Sequence, residues 1–180
     1  MNALTQPRAE SAIDARVLRA TMGMFATGVT VVTYQVEGQP AGMTANAFMS
    51  VSLEPPLVLV SVRKSSRFNQ WVEEGVRFGI NILAEDQRAL SAHFGGCPQD
   101  DLELPFCAHE GTPLLEGSLV QLVARAVDVH PAGDHLLYIG ELEYVRHGTQ
   151  RRPLVFYSAK YQQMHARSPM VTAQGCIEGW

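Results

Sequence analysis

At least six short runs of β-branched and aromatic residues, joined by turns rather than by regular helices, restrict this chain to few folds. The runs are VTVVTYQV (29–36), LVLVSV (57–62), RFGINIL (77–83), SLVQLVARAVDVH (118–130), HLLYIGELEYVRHG (135–148) and PLVFYSA (153–159). EGQPAG turns the first run back, and GMTANAFMSVSL (42–53) follows as a further extended segment ended by Glu54-Pro55-Pro56. A double proline cannot donate ladder hydrogen bonds, so it stops or edges a strand. No β-α-β alternation is present, and no G-x-G-x-x-G opens a helix after a strand, which argues against a doubly wound dinucleotide fold. Strands joined by turns, with a few helices at the edge, predict a mainly β antiparallel barrel.

Three helices are expected around it. Ile13, Val17, Leu18, Met22 and Phe25 step at helical spacing ahead of Gly28. KSSRFNQWVEEG (64–75) carries Phe68, Trp71 and Val72 at the same spacing before a glycine stop, and AEDQRALSAHFGG (84–96) opens on acids and closes on paired glycines. Residues 97–113, rich in proline and acid, read as a long loop. Residues 1–12 and 166–180 read as polar tails around one domain at 13–165.

A chain of 180 residues suits one core. The net charge is −4 with no block of Lys or Arg, which argues against a large nucleic-acid footprint and against a polybasic membrane anchor. No stretch approaches the roughly 20 apolar residues of a membrane helix, and the charged first twenty residues are not a secretory signal. Cys97, Cys107 and Cys176 form no C-x-x-C pair and read as free thiols of a reducing compartment, so a cytoplasmic protein is expected. The histidines show no metal-ligand spacing, no metal is assigned, and no nucleophile elbow is present.

Three segments carry candidate chemistry. Residues 42–50, GMTANAFMS, are mostly small or polar between hydrophobic strands. Small side chains let a flat ring approach the backbone, while the Thr44 hydroxyl and Asn46 amide add directional polar groups. A strand with a bulge beside a turn would show the same composition. Arg63-Lys64-Ser65-Ser66-Arg67 follows a strand and opens the second expected helix, a setting suited to phosphate; a serine N-cap explains the hydroxyls equally well. His135, in Gly133-Asp134-His135 at a turn, could orient a substrate or simply be solvated.

Taken in order, FATGVTVVT, GMTANAFMSVSLEPPLVLVSV, RFGINILAEDQRALSAHFGG, GDHLLYIGE and PLVFYSAKY resemble the short-chain flavin reductase family over about Arg16 to Tyr161. These are the reductase components of two-component aromatic monooxygenases. The resemblance implies an FMN-binding split barrel, a six-stranded antiparallel Greek-key barrel that forms a homodimer. It implies FMN or FAD as flavin, NADH or NADPH as co-substrate, and a separate monooxygenase as partner.

By the same resemblance, Met43, Thr44, Ala45, Asn46 and Ala47 line the flavin, while Ser61, Ser65, Ser66 and Arg67 approach its phosphate end. Asn81 lies on the neighbouring strand, Phe94 falls in the L-S-x-x-F pattern, His135 positions the nicotinamide and Tyr161 closes the site. Two positions depart from the family pattern: Ala47 stands where many members have Ser, and Lys160 stands where the C-terminal motif often has Arg. The expected reaction needs no protein nucleophile, because the cofactors carry the hydride. Two other readings stay open at this point: a split-barrel flavoprotein that keeps its flavin to act on an organic substrate, and a non-enzymatic flavin or haem carrier.

Overall fold

The computed structural model describes residues 13–149 and 152–164. The expected tails, Cys176 and His165 lie outside the described residues. Twelve strands are formed: β1 (Thr27–Gly28), β2 (Thr30–Val36), β3 (Gln39–Ala45), β4 (Phe48–Leu53), β5 (Pro56–Arg63), β6 (Arg77–Ile82), β7 (Phe106–His109), β8 (Thr112–Leu115), β9 (Val120–Ala132), β10 (His135–His147), β11 (Val155–Tyr157) and β12 (Lys160–Gln162). Two α-helices, α1 (Ala15–Met22) and α2 (Arg88–Phe94), and one 3-10 turn (Arg67–Gln70) complete the set.

Seven strands form one antiparallel sheet in the order β3-β2-β6-β9-β10-β5-β4. The pairs β2–β6 and β5–β10 join strands distant in sequence, as Greek-key connections require. The sheet curls around one core: Val32 of β2, Val58, Val60 and Val62 of β5, Phe78 and Ile80 of β6, Leu122 and Ala124 of β9 and Tyr138 of β10 share a buried cluster, with Met43 of β3 and Phe48 of β4 packed against it. Side chains from all seven strands meet, yet no ladder joins edge strands β3 and β4, so the barrel is split between them.

The strand count corrects the expected six. The segment 39–53 makes two strands rather than one, because the chain leaves its hairpin with β2 at Ala45 and enters a hairpin with β5 at Phe48. The small residues around Asn46 and Ala47 permit that change of partner, and Ala47 O accepts from Ser61 N at 2.9 Å.

One end of the barrel is plugged by Phe68, which is fully buried and meets Tyr34, Phe78 and Tyr138 edge-on at centroid distances of 5.1, 5.8 and 5.0 Å. It is delivered by the 3-10 turn, where a longer helix was expected over 64–75. A single turn suffices, because the Asn69 amide donates to the carbonyls of both Arg63 and Lys64 and closes the loop behind it.

Helix α2 is also shorter than its pattern. Glu85 and Asp86 precede it, and Gln87 is its N-cap without a side-chain cap bond. The Gln87 side chain instead bridges Ala84 N and Glu116 O. The expected loop at 97–113 contains a β7–β8 hairpin turning at Glu110-Gly111, both at positive φ. Its Leu114 and Leu115 are buried, and Leu115 joins Val31, Leu83, Leu90 and Leu154 in a second cluster beside the barrel.

Helix α1, capped by Asp14, buries none of its residues in the single chain. Val17, Met22 and Phe25 are 60%, 62% and 77% exposed, so its apolar face has no partner within the described residues.

Candidate functional site

The split between β3 and β4 opens into a cavity of about 410 Å³ on the outer face of the barrel. Ligand clefts commonly hold about 300–1,000 Å³. Five elements supply its walls. The end of β3 and the connection that follows give Met43, Thr44, Ala45, Asn46 and Ala47; the end of β5 gives Ser61, Val62 and Arg63; Ser66 caps the 3-10 turn, Phe94 and Gly95 come from the end of α2, and His135 begins β10.

Local chemistry fixes these walls. The Thr44 hydroxyl donates to Ser91 O at 2.8 Å, which ties β3 to the last turn of α2 and leaves its oxygen lone pairs free to accept. The Phe94 ring lies against β3 because residue 42 is glycine. A Cβ there would stand 3.0 Å from Phe94 Cδ1 and 3.2 Å from Val31 Cγ1. Ser66 caps the 3-10 turn through Phe68 N, and its hydroxyl also reaches Met43 Sδ at 3.4 Å. Asn46 is exposed and lines both this slot and a groove beside α1 that includes Arg16, Met22 and Phe25.

His135 leaves a two-residue turn, Gly133-Asp134, and pairs with Arg63 across the ladder. Its Nδ1 lies 2.7 Å from Asp134 Oδ1. This hydrogen bond, and secondly the charge of the ring, hold the Asp134 carboxyl below the usual carboxylate range.

Of the residues singled out in the sequence, Met43, Thr44, Ala45, Asn46, Ala47, Ser61, Ser66, Phe94 and His135 meet at this slot. Four do not line it. Ser65 and Arg67 are exposed and do not line it. Asn81 is fully buried, its amide donating to Val31 O and Thr33 Oγ1 and accepting from Leu115 N. Tyr161 bonds Ser91 Oγ at 2.9 Å beneath the Arg88 guanidinium, so it reaches the slot only through α2.

Arg63 and Gly95 are slot residues that the sequence did not single out individually. Arg63 was legible in principle: Val58, Val60 and Val62 point inward along β5, so Ser61 and Arg63 share the outer face. The expected phosphate setting at a helix N-terminus is also altered, since the turn there has only four residues. The cation facing the slot is Arg63. Among the described residues no group of three or more His, Cys, Asp or Glu could hold a metal ion, and no helix is long and apolar enough to cross a membrane.

A flat aromatic ring suits this arrangement. Small side chains at 45 and 47 expose backbone along one wall, Phe94 offers an apolar surface, and Asn46, Ser61 and Arg63 supply polar groups at the rim.

The family model described as a flavin reductase like domain matches residues 22–165. The chain is 44% identical over 150 residues to a NADH-dependent flavin reductase of a Rhodococcus species, covering 82% of this chain and 85% of that one. It is 38% identical over 153 residues to the reductase subunit HsaB of a flavin-dependent monooxygenase from Mycobacterium tuberculosis, covering 83% of this chain and 82% of the relative. Among solved structures, the NADH:FAD oxidoreductase SgcE6 of Streptomyces globisporus, in complex with NAD and FAD fragments, superposes with a TM-score of 0.79. That pair shares 32% identity over 86% of this chain and 95% of the other.

Proposed function

The chain belongs to the flavin reductase like family, and from that premise we propose that it oxidises NADH, reduces FMN or FAD, and releases the reduced flavin to a separate monooxygenase. The observation that carries this reading is the slot itself: a ring-sized cleft with exposed backbone on one wall and a histidine at its rim.

The flavin supplies the hydride acceptor; the protein's residues bind, orient and shield. The backbone at Thr44–Ala47, together with Ser61, holds the ring. Arg63 and Ser66 face the phosphate end, a role that falls to Arg63 because it lines the slot and Arg67 does not. Phe94 closes one side, and His135 holds the nicotinamide over the remaining open face. Among the described residues the slot pairs no nucleophile with a general base, which suits a reaction in which no side chain forms a bond to substrate. Asn81 and Tyr161 support the walls from behind. The functional domain is 13–165, and the free Cys97 and Cys107 favour a cytoplasmic setting.

The protein works as a homodimer. Support comes from the uncovered apolar residues of α1 and from Met49, Val51 and Leu53 of β4, which are 56%, 47% and 67% exposed. Exposed apolar residues clustered on a helix face or a strand face mark protein contacts. Asn46 lies on the border between that surface and the slot.

The test is NADH oxidation followed at the nicotinamide band with FMN, FAD or riboflavin added in excess. Multiple turnovers of free flavin are expected. Tight co-purification of a yellow flavin with no turnover of added flavin would refute release to a partner. His135→Ala is expected to raise the KM for NADH while flavin affinity is kept, and Thr44→Val with Asn46→Leu to weaken flavin binding in a fluorescence titration.

A further inference from the structure

A second cavity, of about 250 Å³, is lined by Glu116, Ser118, Gln121, Arg146, His147 and Thr149 among others. It shares no residue with the slot. Strand β10 begins at the slot with His135 and ends at this cavity with His147.

Backbone and side-chain bonds hold its walls in place. Gly117, at φ +74°, makes the turn after β8, and Gln87 Nε2 fixes that turn by donating to Glu116 O at 2.8 Å. Leu119 N donates to Ile82 O at 2.8 Å, and Gly148 N donates to Leu119 O at 2.9 Å. The chain leaving β10 therefore lies flush on residues 118–119, so close that a Cβ at position 148 would collide with Ser118 O. Gln121 stands opposite Arg146 in the β9–β10 ladder, which puts both side chains on one face of the sheet. The Gln121 amide donates to Leu115 O at 2.7 Å and to Cys107 Sγ at 3.4 Å, so that wall is also fixed.

Two groups here lack the partners that their chemistry requires. Ser118 is 2% exposed, and its hydroxyl meets no hydrogen-bond partner among the described residues. Buried hydroxyls are seldom left unpaired, because the loss of water is then uncompensated. Arg146 makes no ion pair among the described residues, whereas Arg125 on the neighbouring strand is paired with both Glu141 and Glu143. The volume is several times the roughly 30 Å³ share of one water, yet below the roughly 300 Å³ at which drug-sized clefts begin. The exposed Glu116 carboxylate borders the cavity and repels a dianion more than a single carboxylate.

We propose that this cavity binds a small monocarboxylate, held by the Arg146 guanidinium and by the Ser118 hydroxyl acting as donor. The planar fork of arginine matches the two carboxylate oxygens, and a serine hydroxyl rotates to donate to whichever oxygen is nearer. The site stands apart from the reading of the slot and does not depend on it.

The test is a titration of the 15N-labelled full chain with sodium benzoate at constant ionic strength, followed through the amide signals of Gly117, Ser118 and Gly148. Saturable shifts with a dissociation constant of about 1 mM are expected, and phosphate should bind at least about tenfold more weakly. Arg146→Gln should weaken benzoate about tenfold, and Ser118→Ala about fivefold. Ser118→Ala should melt no lower than wild type, since it removes a hydroxyl that the fold leaves unpaired. Arg63→Gln should keep the wild-type constant, which separates this cavity from the cation of the slot. The proposal is overturned by the absence of saturable shifts at these amides, or by an unchanged constant in Arg146→Gln or Ser118→Ala. Phosphate binding as tight as benzoate, or loss of benzoate binding in Arg63→Gln, overturns it equally. Flavin turnover moves none of these readouts, so the two readings fail separately.

Discussion

Replacing Asn81 with Leu keeps the branched shape of the side chain and removes every polar atom from a fully buried position on β6. In the native protein the Asn81 amide donates to Val31 O at 3.0 Å and to Thr33 Oγ1 at 3.1 Å, and its oxygen accepts from Leu115 N at 2.8 Å. The substitution therefore strands the Leu115 N–H, at the end of β8, which ties the β7–β8 hairpin to β6. It also removes one donor from the Val31 carbonyl. A buried polar group left unmet costs about 1–3 kcal/mol, and the added methyl surface returns part of that. Counting the stranded Leu115 N–H together with the donors lost to Val31 O and Thr33 Oγ1, the net loss should be about 2–4 kcal/mol. For a domain of this size each kcal/mol lowers the melting temperature by roughly 2–4 °C, so a drop of about 10 °C is expected by circular dichroism. Flavin affinity measured well below the transition should change by less than about twofold, since the amide faces the hairpin rather than the slot. A variant that melts within about 2 °C of wild type while flavin binds tenfold more weakly would refute this reasoning and place Asn81 with the ligand.

Other substitutions test separate parts of the structure. Gly42→Ala would bring a Cβ to 3.0 Å from the Phe94 ring, pushing that wall toward the cavity. Flavin dissociation constants should rise about fivefold, while Gly28→Ala, with nothing within 4 Å of its new Cβ, should leave them unchanged. Glu143 is held below the ordinary carboxylate range chiefly by its hydrogen bond to Arg125, with Arg77 also bonded. A depressed folded pKa contributes stability above the unfolded value near 4.3 and loses it as pH falls through the folded one. Glu143→Gln should thus melt a few degrees lower at pH 7, on the order of 1 kcal/mol for a partly exposed pair, and that gap should shrink below about pH 4. Val17→Asp combined with Phe25→Ser should halve the mass seen by light scattering; a monomeric wild type at micromolar concentration would defeat the homodimer reading.

Strands were legible wherever β-branched residues alternate or run continuously, as in LVLVSV, because burial on a pleated surface demands that pattern. The 3-10 turn at Arg67–Gln70 was hidden by its own success: Phe68, Trp71 and Val72 have helical spacing, but one turn already aims Phe68 and Val72 into the barrel. Nothing in the spacing says that Asn69 will end the loop on two carbonyls. The β7–β8 hairpin was concealed because its strands have only four residues each and one contains Pro113. The seventh barrel strand was missed for a different reason. Thr44-Ala45-Asn46-Ala47 gives no turn signal of glycine or proline, so the change of partner between β3 and β4 is visible only in the register.

The candidate site was legible to the extent that it is a continuous segment, and it became less so where pairing decides it. Residues 43–47 share the slot because they follow one another along the split edge. Arg63 joins them only because β10 sets His135 opposite it, a pairing across more than seventy positions of sequence. The same logic explains why the slot occurs at this place. Edge strands β3 and β4 leave backbone N–H and C=O groups without ladder partners, and such edges need covering by something. The bond from Ser61 N to Ala47 O only continues the β4–β5 pairing and leaves the open edge as it is. That edge faces a cleft whose side chains are small, so a planar ligand with hydrogen-bonding atoms along its edge can complete what the sheet does not. On the proposed function, bulk at 45 or 47 would cover the edge equally well for stability but would exclude the flavin ring, so Ala45→Leu should cost flavin affinity and leave the melting temperature unchanged.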